Sequence, residues 1–413
     1  MRVNGIIAEY NPFHNGHLYQ LKQSKEATGS DYTIVVMSGN FTQRGDVAFC
    51  EKHVRTRMAL QNGADLVIEL PAVYAVSSAW EFAFGGISIL NSLGVADTVS
   101  FGSECGELEK LTQIAEILLD EPEEYRCILT RCLSEGMSFP AARDLAVGTF
   151  LKKSTEEMSE ILSNPNNILG LEYLKALKTL HSSMRPYTVR RIESGYHDKT
   201  LGETISSATA IRKTLLQEND LTLLQDQMPE SVLSLLSYSG GEEYTKLNAL
   251  LSGALYQKLY WEQEQGFTSY LDVSAALSDR IRNRLVDFQD FDSFSLLLKT
   301  KEMTLTRIRR SLLHILLNIR ARDDLPGMQA PKPVPYARVL GFRKDAKPLL
   351  SEIKRHTSIP FITKPSDAGE QLDGDALLLF RQDIAISQFY LGLLYQVRGE
   401  RPLNEYTIPI VIE

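Results

Sequence analysis

Two histidines three residues apart, His14 and His17, sit in the segment Asn11-Pro12-Phe13-His14-Asn15-Gly16-His17 near the start of the chain. That spacing is nearly one helical turn, so both imidazoles can face one phosphate, and Gly16 leaves room for a nucleotide to approach the backbone. An apolar stretch (Val3, Ile6, Ile7, Ala8) precedes the segment, and a helical pattern opens after it at Leu18, Leu21 and Lys22. The histidines therefore fall where a strand hands over to a helix. Unpaired N–H groups and the helix dipole make such a point an anion site. One capping histidine and one surface histidine is the competing reading, and it would suffice for either residue alone. Zinc fits less well, because no cysteine or third histidine lies nearby at ligand spacing. A second constellation, Ser207-x-Thr209-x-x-Arg212, lies at another predicted helix start, where hydroxyls, N–H groups and a guanidinium can hold terminal phosphates. Capping alone would explain Ser207 and Thr209; their pairing with the histidines favours a ligand. The chain has neither a GxxxxGKS/T loop nor a GxGxxG turn.

The elements needed to position these residues are readable in outline. Ile34–Met37, Asp65–Leu70 and Asp97–Phe101 read as further strands, alternating with helices over Glu51–Gln61 and Trp80–Leu93. Such alternation predicts an α/β fold, a Rossmann-like doubly wound parallel sheet with ligands beyond the carboxyl ends of its strands, where His14, Gly39 and Gly102 fall. Residues 107–180 read as successive helices, Tyr187–Ile192 as a fifth strand, Gly195–Asp198 as a polar loop and Ile205–Arg212 as a helix start. Beyond about residue 220 the pattern is mainly helical, until the proline-rich stretch Pro326–Pro335 leads into a tail of mixed signals. The expected division is a catalytic domain over 1–220, with a helical insertion at about 105–180, and a C-terminal domain over 221–413.

At 413 residues two domains are the default. The apolar run from Leu70 to Leu90 is broken by Pro71, Glu81 and Gly85-Gly86, which favours a helix buried on the sheet over a membrane span. Cys50, Cys105, Cys127 and Cys132 show no CxxC pairing and fit reduced thiols in a cytoplasmic protein. The net charge of −8 hides an asymmetry: residues 280–355 carry 17 Lys/Arg against 8 Asp/Glu, a local +9. A localised polyanion contact and a solvated helical surface are equally consistent with that charge.

Taken together, His14-Asn15-Gly16-His17 and Ser207-Ala208-Thr209-Ala210-Ile211-Arg212 resemble the paired signatures of the HIGH-type nucleotidyltransferase superfamily. The late signature there often reads Ser-Ser-Thr or carries a lysine; here Ala208 separates the hydroxyls. Further blocks narrow the resemblance to the bacterial tRNA(Met) cytidine acetate ligases, over the whole chain. They are Glu9–His17, Ser38-Gly39-Asn40-Phe41, Gln43-Arg44-Gly45, Phe101-Gly102-Ser103-Glu104, Ser163–Gly170 and Thr304–Arg310. The resemblance implies that acetate attacks the α-phosphorus of ATP, giving acetyl-adenylate and pyrophosphate. The N4 amine of the wobble cytidine in elongator tRNA(Met) then takes the acetyl group and AMP leaves.

It also implies roles. His14 and His17 would stabilise charge on the α-phosphate, while Ser207, Thr209 and Arg212 would bind pyrophosphate. The turn of Ile7, Ala8, Glu9, Tyr10, Asn11, Pro12, Phe13, His14, Asn15, Gly16, His17, Leu18, Tyr19 and Gln20 would lie beneath ATP. Gly102, Asn167, Arg191 and Ile192 would border its ribose and adenine. Asn40, Gln43 and Arg44 are candidates for the acetate side, an ordinary active-site lid being the alternative for their loop. Arg307, Arg310 and His314 are candidates for RNA phosphates, with an internal ion-pair network as the alternative. No carboxylate cage for a metal is evident, so Mg²⁺ would be held through the ATP phosphates. Two rival activities are an acyl-adenylating ligase acting on a protein thiol and a non-catalytic nucleotide- and RNA-binding protein.

Overall fold

The computed structural model describes residues 1–191, 206–218, 220–236, 240–321, 332–401 and 404–413. Ile192, the Gly195–Asp198 loop, Ile205 and Pro326 lie outside the described residues. Strand β1 (Val3–Ala8) runs parallel to β2 (Tyr32–Ser38) on one side and to β4 (Thr98–Ser103) on the other. β3 (Leu66–Leu70) follows β2, and β5 (Arg185–Arg190) follows β4, both parallel. The order β5-β4-β1-β2-β3 reverses direction between β1 and β4, and the crevice above that reversal is where such sheets bind ligands.

Alternation of side chains divides the core. Ile34, Val36, Ile68 and Leu70 pack on one face; Val35, Met37 and Val67 pack on the other, with Met58 and Ala59 of helix α2 (Lys52–Gln61). Each fully buried side chain of this kind contributes about 1.5–3 kcal/mol. Helix α3 (Ala79–Ser92) lies on the first face, with ten of its residues buried, as the apolar run from Leu70 predicted. It approaches closely because Gly86 has no side chain: a Cβ there would stand 2.5 Å from Ile7. Five helices then fill Leu108–Thr179, the last of them α4 (Pro165–Thr179), which packs on α3.

The sheet continues past residue 220. β6 (Ala337–Phe342) pairs antiparallel with β3, and β7 (Phe361–Ile362) and β8 (Val411–Ile412) pair with β6. The C-terminal half is mainly helical, its helices including α6 (Gly241–Glu262), yet its strands complete the sheet begun by the N-terminal half. Beside that junction lies a closed ionic cluster. Lys52 Nζ is 2.7 Å from Glu69 and 2.5 Å from Glu405, and Arg338 is 2.9 Å from Glu69 and 2.6 Å from Glu405. Asp383 adjoins it, accepting from Tyr336 Oη and from Ala72 N–H. Asp383 sits on helix α8 (Gly374–Arg398). This helix is long and apolar enough to cross a membrane, but it buries ten residues within the molecule.

Candidate functional site

Helix α1 (Asn15–Thr28) begins with a reciprocal cap built from the two histidines. Gly16 N–H donates to His14 Nδ1 at 3.0 Å, and His14 N–H donates to His17 Nδ1 at 3.3 Å. The rings lie 3.8 Å apart, centre to centre. Both Nδ1 atoms accept, so each neutral ring carries its proton on Nε2 and offers that N–H as a donor. Burial, reinforced by Arg191 and Arg212, pushes the His14 pKa down to about 3; burial, His14 and Arg191 drive His17 well down too.

The cap thus occupies Nδ1 of both residues and leaves Nε2–H of each ring outside it. One expectation needs correcting. The first-turn N–H groups are not left open, because Asn15 N–H donates to Gln227 O at 2.9 Å, and His17 and Leu18 N–H donate to His14 O. An anion at this turn would meet the imidazole Nε2–H groups and the nearby arginines instead. Arg212, on helix α5 (Ala208–Gln217), donates to Asn11 O at 2.7 Å, which docks the late motif onto the early turn. Ser207 caps α5 by accepting from Ala210 N–H at 3.1 Å.

These groups meet on one cavity of about 410 Å³ at the carboxyl ends of β1 and β4. Ile7, Ala8, Glu9, Tyr10, Asn11, His14, His17 and Gln20 line it from the end of β1 and the turn after it, Gly102 from β4, Arg191 from just past β5, and Ser207, Thr209 and Arg212 from the start of α5 and its cap. Gln43 and Arg44 line it from the loop after β2. Pro12, Phe13, Asn15, Gly16, Leu18 and Tyr19 belong to the turn without lining the cavity: Phe13 is fully buried, and Asn15 is spent on Asp226 O and Gln227 O.

Four other expectations fail on geometry. Asn40 does not line the cavity; it accepts from Lys52 N–H at 2.8 Å and donates to Ser387 Oγ at 3.3 Å, pinning its loop from beneath. Asn167 accepts from the N–H groups of Glu104 and Cys105 and donates to Ile161 O, so its side chain shapes the loop after β4 and is not available to the ligand. Neighbouring Asn166, Ile168 and Leu169 reach the cavity instead. On helix α7 (Leu305–Leu316), Arg310 is buried, and His314 is enclosed with its ring nitrogens 2.8 and 2.7 Å from the carbonyls of Leu271 and Val76. Neither presents a surface to RNA; Arg307 is exposed.

The loop after β2 is held rather than hanging free. Thr42 N–H donates to Asp46 O at 2.9 Å, Asp46 pairs with Arg309 of α7, and Gly45 adopts φ +79° against the α7 backbone. A Cβ at Gly45 would stand 2.7 Å from Arg310 N. Sequence reading missed Arg55, whose buried guanidinium donates to Glu9 O (2.6 Å), Ser38 O (3.1 Å), Cys50 O (2.9 Å) and Gly39 O. It ties the ends of β1 and β2 together beneath the cavity, and no local motif marks such a residue. Thr306, Phe82 and Tyr173 were also missed; they line the cavity from α7, α3 and α4.

A family model described as HIGH Nucleotidyl Transferase matches residues 1–404. A tRNA(Met) cytidine acetate ligase of Acetivibrio thermocellus is 38% identical over 421 residues, covering 100% of both chains. One of Thermoanaerobacter sp. is 41% identical over 392 residues, 94% of this chain and 95% of the relative. Among solved structures, Thermotoga maritima TmcAL bound with alpha-thio ATP superposes with a TM-score of 0.86 at 30% identity, covering 100% of this chain and 99% of that one. Its apo form gives 0.89 at 31% identity, with the same coverage.

Proposed function

The chain belongs to the HIGH nucleotidyl transferase family, among the tRNA(Met) cytidine acetate ligases, and we propose that the crevice lined by His14, His17 and Arg212 hosts both halves of that reaction. The protein is an ATP-using ligase that acetylates tRNA(Met) through an adenylate. Acetate is the acid activated. Its oxygen attacks the α-phosphorus, the bond to the β-phosphate oxygen breaks, and pyrophosphate leaves.

The observation that carries this reading is the pair of neutral imidazoles with Nδ1 occupied and Nε2–H unspent on the helix cap. Two preoriented donors suit the charge that builds on the α-phosphate oxygens during transfer. Neutral rings hold ATP by hydrogen bonds alone before the reaction and gain most as that charge grows. Arg212 and the α5 N-terminus at Ser207 and Thr209 take the departing pyrophosphate. Gly102 and Arg191 border the nucleoside, and Gln43 and Arg44 face the acetate. Among the described residues no group of three His, Cys, Asp or Glu could hold a metal, so Mg²⁺ would enter on the ATP phosphates.

Labelled acetate, ATP and bacterial tRNA lacking the modification test the reading. Label on the cytidine of one tRNA, dependent on ATP, is the expected result. Acetyl-adenylate without RNA label would move the acceptor to a thiol or another amine. No adenylate would refute the assigned chemistry.

A further inference from the structure

The second half-reaction lacks a base in the assignments above. The lone pair of cytidine N4 is delocalised into the ring, and the nitrogen can hold an acyl group only if it sheds a proton as the bond forms. Several groups that line the cavity can be eliminated. His14 and His17 use Nδ1 on backbone N–H groups and carry protons on Nε2. Burial drives the phenols of Tyr10 and Tyr173 far above their ordinary value, so they stay protonated. Asp46 is engaged in an ion pair with Arg309, which also pairs with Asp292. Among the described lining residues one carboxylate remains, that of Glu9 at the carboxyl end of β1. It is only partly buried, and its Oε1 accepts from Gln43 N–H at 2.7 Å. That bond fixes the carboxylate beside the segment assigned to acetate.

We propose that Glu9 is the general base of acetyl transfer, taking the proton from cytidine N4 as that nitrogen attacks the acetyl carbonyl. The N–C bond forms, the C–O bond to the phosphate breaks with its electron pair leaving on AMP, and the N4 proton passes to Glu9. Solvent takes that proton once the products depart. The inference rests on the ligase reading, and it assigns the two half-reactions to different residues: the imidazoles serve adenylation, and Glu9 serves transfer.

Glu9→Gln separates the roles, because the amide oxygen still accepts from Gln43 N–H while the basic site is gone. Two rates are read on the full-length protein: acetate-dependent exchange of pyrophosphate into ATP, and single-turnover transfer from enzyme-bound acetyl-adenylate to tRNA(Met). The expected result is a transfer rate that falls about 100-fold or more relative to exchange, the usual span of general-base catalysis. Glu9→Asp, which restores a carboxylate on a shorter arm, should recover part of the transfer without raising exchange. Exchange and transfer falling in parallel would overturn the proposal and leave Glu9 as a loop anchor; unchanged transfer would overturn it outright. Failure of the ligase reading shows separately, as absence of exchange or RNA label with the unsubstituted protein.

Discussion

The turn at residues 9–17 and the ionic cluster beside β3 both bury polar side chains, and they treat charge in opposite ways. In the cluster, Lys52 and Arg338 meet Glu69 and Glu405, two cations against two anions, each nine-tenths or more buried. Its charges cancel within the fold. At the turn, His14 and His17 are held neutral, and each spends one nitrogen on the helix cap while the other takes no part in it. Charges matched inside the fold serve structure, whereas donors left over from a helix cap on a cavity wall are where a ligand would bind.

Breaking the cluster gives the largest expected effect. Glu405→Ala leaves two buried cations, Lys52 and Arg338, against the single carboxylate of Glu69 and should lower unfolding stability by about 3–5 kcal/mol, read by denaturant titration. A change below about 1 kcal/mol would mean the cluster is not the closed unit described. His17→Ala should lower adenylation about 10²–10³-fold, or about 2.7–4 kcal/mol, while tRNA binding survives; pyrophosphate exchange and filter binding read the two. Equal losses in both would erase the distinction between the regions.

The pH dependence of stability should also separate them, with opposite slopes. Imidazole in the unfolded chain titrates near 6.5, and His14 in the fold near 3. Between those values only the unfolded chain is protonated there, so the His14 contribution is complete above pH 6.5 and lost as pH falls toward 3. Burial, with Glu69 nearby, raises Asp383 from 3.8 to about 7. Its contribution is complete below pH 3.8 and lost as pH rises through 7. Urea midpoints across pH should lose the acid-side fall in His14→Gln and the neutral-side fall in Asp383→Asn, each at most about 1.4 kcal/mol per pH unit. The smallest effect belongs to the surface. Arg307→Ala should weaken tRNA binding by about 1 kcal/mol or less and flatten its salt dependence by about one unit of slope.

What the sequence made legible follows the same division. The histidine turn, the first five strands and the helix on the sheet are local patterns, so periodicity and turn residues reveal them. Asn40 and Asn167 misled because an amide's type is visible in a sequence but its partners are not: both are consumed by backbone groups of the protein's own loops. Arg310 and His314 misled for a related reason. The polar side of α7 is open at Arg307 but covered at Arg310 and His314, with Val76 and Leu271 carbonyls against His314. Arg55 and the pairing of Leu66 with Phe342 depend on contacts across the chain that no local pattern encodes.

The antiparallel seating of β6 on β3 bears on how the enzyme can be dissected. A fragment ending near residue 220 would keep the His14–His17 and Ser207–Arg212 motifs but lose Thr306 from the cavity wall, and it would expose Leu66–Leu70 as a bare, apolar strand edge. Such an edge is a template for pairing with another copy, so the fragment would be expected to self-associate. The catalytic half is therefore a poor cassette for grafting, and a soluble minimal version would have to carry residues 337–342 or a charged substitute along that edge.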